Sequence, residues 1–80
     1  MGKLEKTFRC GSIEASIWGQ SEENKGEIVK RCTVKIQRSY KDEKGAWNNT
    51  NIFPVDDLPK VSIVAQEAFK YLRLKVQDNP

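Results

Sequence analysis

The stretch Ile28-Val29-Lys30-Arg31-Cys32-Thr33-Val34-Lys35-Ile36-Gln37-Arg38-Ser39-Tyr40 decides the fold. Ile28, Cys32, Val34, Ile36 and Tyr40 share one parity, while Arg31, Thr33, Lys35, Gln37 and Ser39 share the other. Successive side chains of a strand point to opposite faces. This alternation therefore predicts a strand over 28–40 with one packed face and one solvated face, as in an antiparallel sheet. Arg38 interrupts the apolar parity and is expected to reach past its edge.

Toward the C-terminus, Lys41-Asp42-Glu43-Lys44-Gly45 reads as a hairpin turn in which Gly45 supplies a positive φ. A returning strand over 46–55 then has two possible registers. Tyr40 opposite Trp47 places Trp47, Phe53 and Val55 on the packed face, and is favoured because it sets Phe53 and Val55 against Val34 and Cys32. Tyr40 opposite Ala46 turns Ile52 inward and leaves Trp47 on the basic face beside Ser39. Pro54 has no N–H to give a ladder, which marks an edge or the end of the strand. Asp56-Asp57-Leu58-Pro59 opens a helix over 59–75, with an aspartate expected to cap the free amides and a proline tolerated in the first turn. Val61, Val64, Ala65, Ala68 and Leu72 recur at helical spacing and are expected to cover the Val34 and Ile36 face. Ile63 and Leu74 fall on the far side with Lys70 between them, which predicts a homodimer whose helices meet there. Gln77 to Pro80 reads as a frayed tail.

Toward the N-terminus, Thr7 to Trp18 reads as one strand with a change of phase. Phe8 and Cys10 take one parity, and Ile13, Ala15 and Ile17 the other, so a bulge or bend is expected at Gly11. Gly19 to Gly26 is polar throughout and reads as a surface loop. The whole is α+β in a single domain over residues 1–80: an antiparallel β-meander of three to four strands, then one C-terminal α-helix packed on one face. At 80 residues the chain has room for one modest core and no second domain.

Composition narrows the chemistry. The chain has no histidine, which removes Ser-His-Asp triads, Cys-His pairs and His-ligated metals. Cys10 and Cys32 stand far apart with no Cys-x-x-Cys spacing, and read as small buried hydrophobes in a reducing compartment, a bridge between them being the lesser alternative. No glycine cluster suits a phosphate loop. Enzymatic activity, a metal and a cofactor are therefore not expected. No apolar run approaches the roughly 18 residues of a membrane span, so a cytoplasmic protein without a membrane partner is expected.

The net charge is +3, with a pI of about 9.0. Lys30, Arg31, Lys35, Arg38 and Lys41 lie between Glu27 and Lys41, with Glu27 the lone acid there. Cations spaced along a sheet with aromatic rings near the strand ends suit single-stranded nucleic acid, whose phosphates meet the cations while its bases stack. The candidate binding residues are Arg31, Lys35, Lys41 and Lys44, with Trp47 and Tyr40 for stacking and Trp18 near the opposite end. The alternative is a protein-interaction or assembly module, since exposed strands carry Lys and Arg for solubility as well.

Strands followed by one long C-terminal helix resemble the single-stranded-DNA-binding transcriptional regulators of the positive-cofactor-four and Whirly type. The phrases Phe8-Arg9, Ser16-Ile17-Trp18, Arg38-Ser39-Tyr40-Lys41-Asp42, Gly45-Ala46-Trp47 and Asp57-Leu58-Pro59-Lys60 also resemble a group of small prokaryotic proteins without an assigned function. The first resemblance implies paired helices in a dimer and curved sheets that bind unpaired DNA in transcription regulation, at Arg31, Lys35, Lys41, Lys44 and Trp47 here. It also implies four strands, which this chain has only if Gly11 divides its first segment.

Overall fold

The computed structural model describes residues 2–74. Strands β1 (Lys3–Cys10), β2 (Ile13–Asn24), β3 (Glu27–Lys41) and β4 (Trp47–Thr50) lie side by side in chain order, each antiparallel to the next. A 3-10 turn (Val55–Asp57) leads into helix α1 (Leu58–Arg73). The layout is α+β, as the alternation and the helical stripe require. The helix ends two residues short of the expected limit. Leu74 is extended, and Lys75 with the supposed tail lies outside the described residues.

Gly11 does divide the first segment. It sits at φ 61, and with Ser12 it reverses the chain rather than bending it. Because Cys10 pairs with Ile13 and Phe8 with Ala15, opposite parities land on the same face. The change of phase is thus the mark of a two-residue turn, not of one strand over 7–18. The irregularity of β1 lies instead between Leu4 and Lys6. A second correction concerns Gly19 to Gly26. This segment is the tip of the β2–β3 hairpin, closed at Lys25 (φ 53) and Gly26 (φ 83). Two positive φ values in succession give the turn whose twist matches paired strands. The segment is polar on both faces because beyond the Gly19–Cys32 pair the hairpin has only two strands and no other described element lies over it.

The returning strand is shorter than 46–55 and adopts neither expected register: Tyr40 faces Asn48 and Lys41 faces Trp47. Asp42 sets this. Its Oδ1 accepts the amides of Lys44 and Ala46 at 2.9 Å each, its Oδ2 accepts Asn48 Nδ2 at 2.8 Å, and its own amide donates to Ala46 O at 2.9 Å. Pairing ends at Thr50, and Phe53 then packs against the core from a loop.

The core lies under β2, not β3. Ile13, Ala15 and Ile17 are fully buried against Val64 and Ala68, flanked by Phe8, Cys10, Ile36, Phe53, Val61 and Leu72. Each buried Ile or Val contributes about 1.5–3 kcal/mol relative to exposure. The helix lies across β1 and β2 and barely touches β3. Phe8 and Tyr71 meet edge to face at 6.0 Å, which holds its C-terminal half over β1. Val34, expected beneath the helix stripe, is 42% exposed. Nor does Asp57 cap the helix by its side chain. Its carboxylate instead meets Arg38 Nε at 3.3 Å and Lys60 Nζ at 3.5 Å, tying the helix start to β3.

Candidate nucleic-acid interface

The sheet face away from α1 collects the odd residues of β3, the even residues of β2, and Trp47 and Asn49 of β4. Arg31, Thr33, Lys35 and Gln37 are therefore brought together as their parity predicts. Trp47 joins them because the Asp42 turn sets it opposite Lys41. Its indole is 69% exposed, and Lys41 Nζ lies over it at 5.6 Å from the ring centre. Lys44 stands in the neighbouring turn, also exposed.

Carboxylates reach the same face. Glu22 holds Arg31 Nε at 3.0 Å, while Glu14 takes both the Arg9 guanidinium and, at 2.7 Å, Gln37 Nε2. Arg31 is thus a paired cation. No described carboxylate lies within ion-pair distance of Lys35, Lys41 or Lys44. The free positive charge shifts to the β3–β4 end of the face, beside Trp47. Trp18 is more constrained: its Nε1 donates to Ser16 Oγ at 3.1 Å, and Ser16 Oγ donates to Lys35 O at 3.3 Å. Ser16 is buried as a result, a polar site that its position on a solvated parity did not announce.

Tyr40 does not belong to this face. It lies on the helix side, in an open hollow with Thr50, Ile52, Phe53 and Pro54, and Arg38 stacks over it at 5.9 Å. Even and odd residues of one strand cannot share a face, so Tyr40 and Lys41 point apart. Ile63 and Leu74 are both about half exposed on the outside of α1, with the Glu67–Lys70 pair (3.1 Å) on the intervening turns.

The helix side of β3 holds a feature that the sequence does not signal. The irregular register of β1 sends Glu5 across buried Gly19, where any side chain would collide with its carboxylate. Glu5 reaches Lys30 Nζ at 2.6 Å and Cys32 Sγ at 3.6 Å. The bond from Lys30 holds the Glu5 carboxyl below its ordinary value, and the same bond raises Lys30. Between β3 and α1 runs a groove of about 1030 Å³, its floor Val34 and Ile36 and its wall Ala65, Phe69 and Leu72. Cys32, expected to be buried, is exposed there as a free thiol. Among the described residues no helix is long and apolar enough to cross a membrane. Compared with protein-family models, curated proteins and solved structures, the chain matches none of them.

Proposed function

We propose that the outer face of β3 and β4 binds single-stranded nucleic acid, DNA foremost, without catalysis and without a cofactor. One observation carries this reading: an exposed indole shares its face with lysines that no described carboxylate neutralises. Lys35, Lys41 and Lys44 would neutralise phosphates while a base stacks on Trp47, which suits a ligand whose bases are unpaired. Arg31 contributes less than its position suggests because Glu22 competes for it. Tyr40 leaves the binding set. Four strands and a C-terminal helix are the layout that the resemblance to single-stranded-DNA-binding regulators implies, and a shared layout by itself carries no function. A regulatory role in transcription and a cytoplasmic location follow only with that reading.

A titration with a single-stranded oligonucleotide and its duplex, at two salt concentrations, tests the proposal. Binding should favour the single strand, and its logarithm should fall by about 0.7 per neutralised phosphate for each logarithmic unit of salt. Lys35→Glu with Lys41→Glu should abolish it, whereas Arg31→Gln should weaken it less. No binding at low salt would leave the second reading, a protein-interaction module. The open groove beside β3 favours that one.

A further inference from the structure

The edge of β3 is only partly used. β4 pairs with Arg38 to Lys41 and no further. The amide of Ser39 donates to Ser12 O on the β2 side, and that of Asp42 donates to Ala46 O on the β4 side, each at 2.9 Å. Hydrogen-bonding direction alternates along a strand, so the odd residues of β3 serve β2 and the even ones face the other way. Ile28, Lys30, Cys32, Val34 and Ile36 therefore direct their N–H and C=O groups to an open edge. None of these groups has a backbone partner outside the β2 ladder among the described residues. An edge of this length is a template for another strand.

We infer that the occupant is a second copy of this chain, paired β3 to β3 antiparallel about a two-fold axis at Cys32. The residues themselves select this register. Even residues must oppose even ones for both edges to bond. A two-fold at Lys30 or Arg31 sets that cation against its own copy, and one at Thr33 sets Arg31 against Lys35 twice. A two-fold at Val34 sets Lys30 toward Arg38, whose edge β4 already occupies, and leaves the outer part of the edge unpaired. The two-fold at Cys32 uses 28–36, up to the end of β4, with no like charges directly opposite. Ile28 faces Ile36, Lys30 faces Val34, Arg31 faces Thr33 and Val29 faces Lys35. Ile28, now 80% exposed, gains an apolar partner, and all five edge residues exchange hydrogen bonds. The contact is isologous and closes as a dimer, joining two meanders into one eight-stranded sheet. It also places two Arg31 side chains diagonally across the seam, about 7–8 Å apart. The dimer should therefore tighten as salt screens them, the opposite of nucleic-acid binding. This inference does not rest on the nucleic-acid reading, and it sets the dimer contact on β3 rather than on Ile63 and Leu74.

Sedimentation or light scattering at rising concentration, with two substitutions at Thr33, reads the register. The expected result is a dimer that Thr33→Glu strengthens several-fold, by facing Arg31 across the seam, and that Thr33→Arg weakens at least as much. Cys32→Pro removes one edge amide that β2 does not use, and should give a folded monomer. A short bismaleimide should link two copies through Cys32, in the parent and in Cys10→Ser but not in Cys32→Ser. A monomer at several hundred micromolar in moderate salt overturns the inference, whether or not it pairs with an added extended peptide. So does a dimer indifferent to both Thr33 substitutions, or one that Ile63→Glu alone dissolves.

Discussion

The two halves of this sheet are built from strands of which β3 is, if anything, the more apolar, and they have opposite fates. On β2, Ile13, Ala15 and Ile17 are closed in completely between neighbouring strands and α1. On β3, Val34 is half open, and Ile28 stands on a two-stranded arm that no other described element covers. The molecule is consequently a thin plate, 50 by 37 by 17 Å, with a radius of gyration of 16.0 Å. A compact chain of this length would have about 12 Å. Burial depends on where the single helix lies, and one helix cannot cover four strands. The closed half supplies stability, while the open half keeps the exposed indole, the lysines that no described carboxylate reaches and the edge that no described strand pairs.

The sharpest way to break this comparison is to delete one methyl-rich side chain from each half. Ile17→Ala should cost about 2–5 kcal/mol, because lost transfer energy and a cavity add together at a site with no exposure. For 80 residues the whole stability is about 4–12 kcal/mol, so much of the fold's margin should go. Val34→Ala should cost about 1 kcal/mol or less in the dilute protein, since water already reaches that side chain. Thermal melts at low micromolar concentration give both values. Equal losses, or a larger one at Val34, would mean that the helix sits over β3.

Sequence made the strands and the helix legible but not their layering. Alternation in 28–40 reports which residues share a face, and Arg31, Thr33, Lys35 and Gln37 do. It carries no information on depth, and the most regular strand is in fact the less buried one. Three details hid in local turn chemistry. Gly11 reverses the chain, Lys25 and Gly26 close a hairpin whose arm has no apolar face, and Asp42 gathers amides that fix Trp47 opposite Lys41. Composition counts charges and not their partners, so the pairing of Arg31 with Glu22 was invisible. The path of Glu5 over Gly19 was hidden too, because it depends on an irregular register three strands wide in its effect.

A smaller effect separates the two tryptophans of the outer face. Trp47→Ala should cost about 1–3 kcal/mol of single-strand affinity, leaving the salt dependence of binding and the melting temperature nearly unchanged, since the ring packs on little but Lys41. Trp18→Ala should do the reverse. It uncovers Ser16 and removes the donor to its hydroxyl, and so should lower the melting temperature more than the affinity. Oligonucleotide titration with a parallel melt distinguishes them. If Trp47→Ala instead destabilises the fold without touching affinity, the stacking role is wrong.

The smallest effect concerns acid, and it also falls on the open half. Asp42 accepts the amide of Ala46, the side chain of Asn48 and the amide of Lys44, and these bonds hold its carboxyl below the ordinary 3.8. Glu5 is held below 4.5 mainly by Lys30, through a contact that ties β1 to β3 across Gly19. A carboxyl whose folded value is depressed stabilises the fold above its unfolded value, and loses that contribution as pH falls through the folded one. Stability from both groups is therefore complete near neutral pH and declines from about pH 4.5 downward. Both are partly open to water, which screens these interactions, so the decline should be shallow. It should also be local. Amide exchange at Lys44 and Ala46 should accelerate in acid before that of Ile13, Ala15 and Ile17, because the turn loses its acceptor while these side chains are buried against apolar Val64 and Ala68. Asp42→Asn, which holds no charge to lose, should flatten the response of the turn and leave that of Lys30 unchanged. Exchange that quickens first within β2 as the pH is lowered would show that the closed half, and not the open one, is the weaker part of the plate.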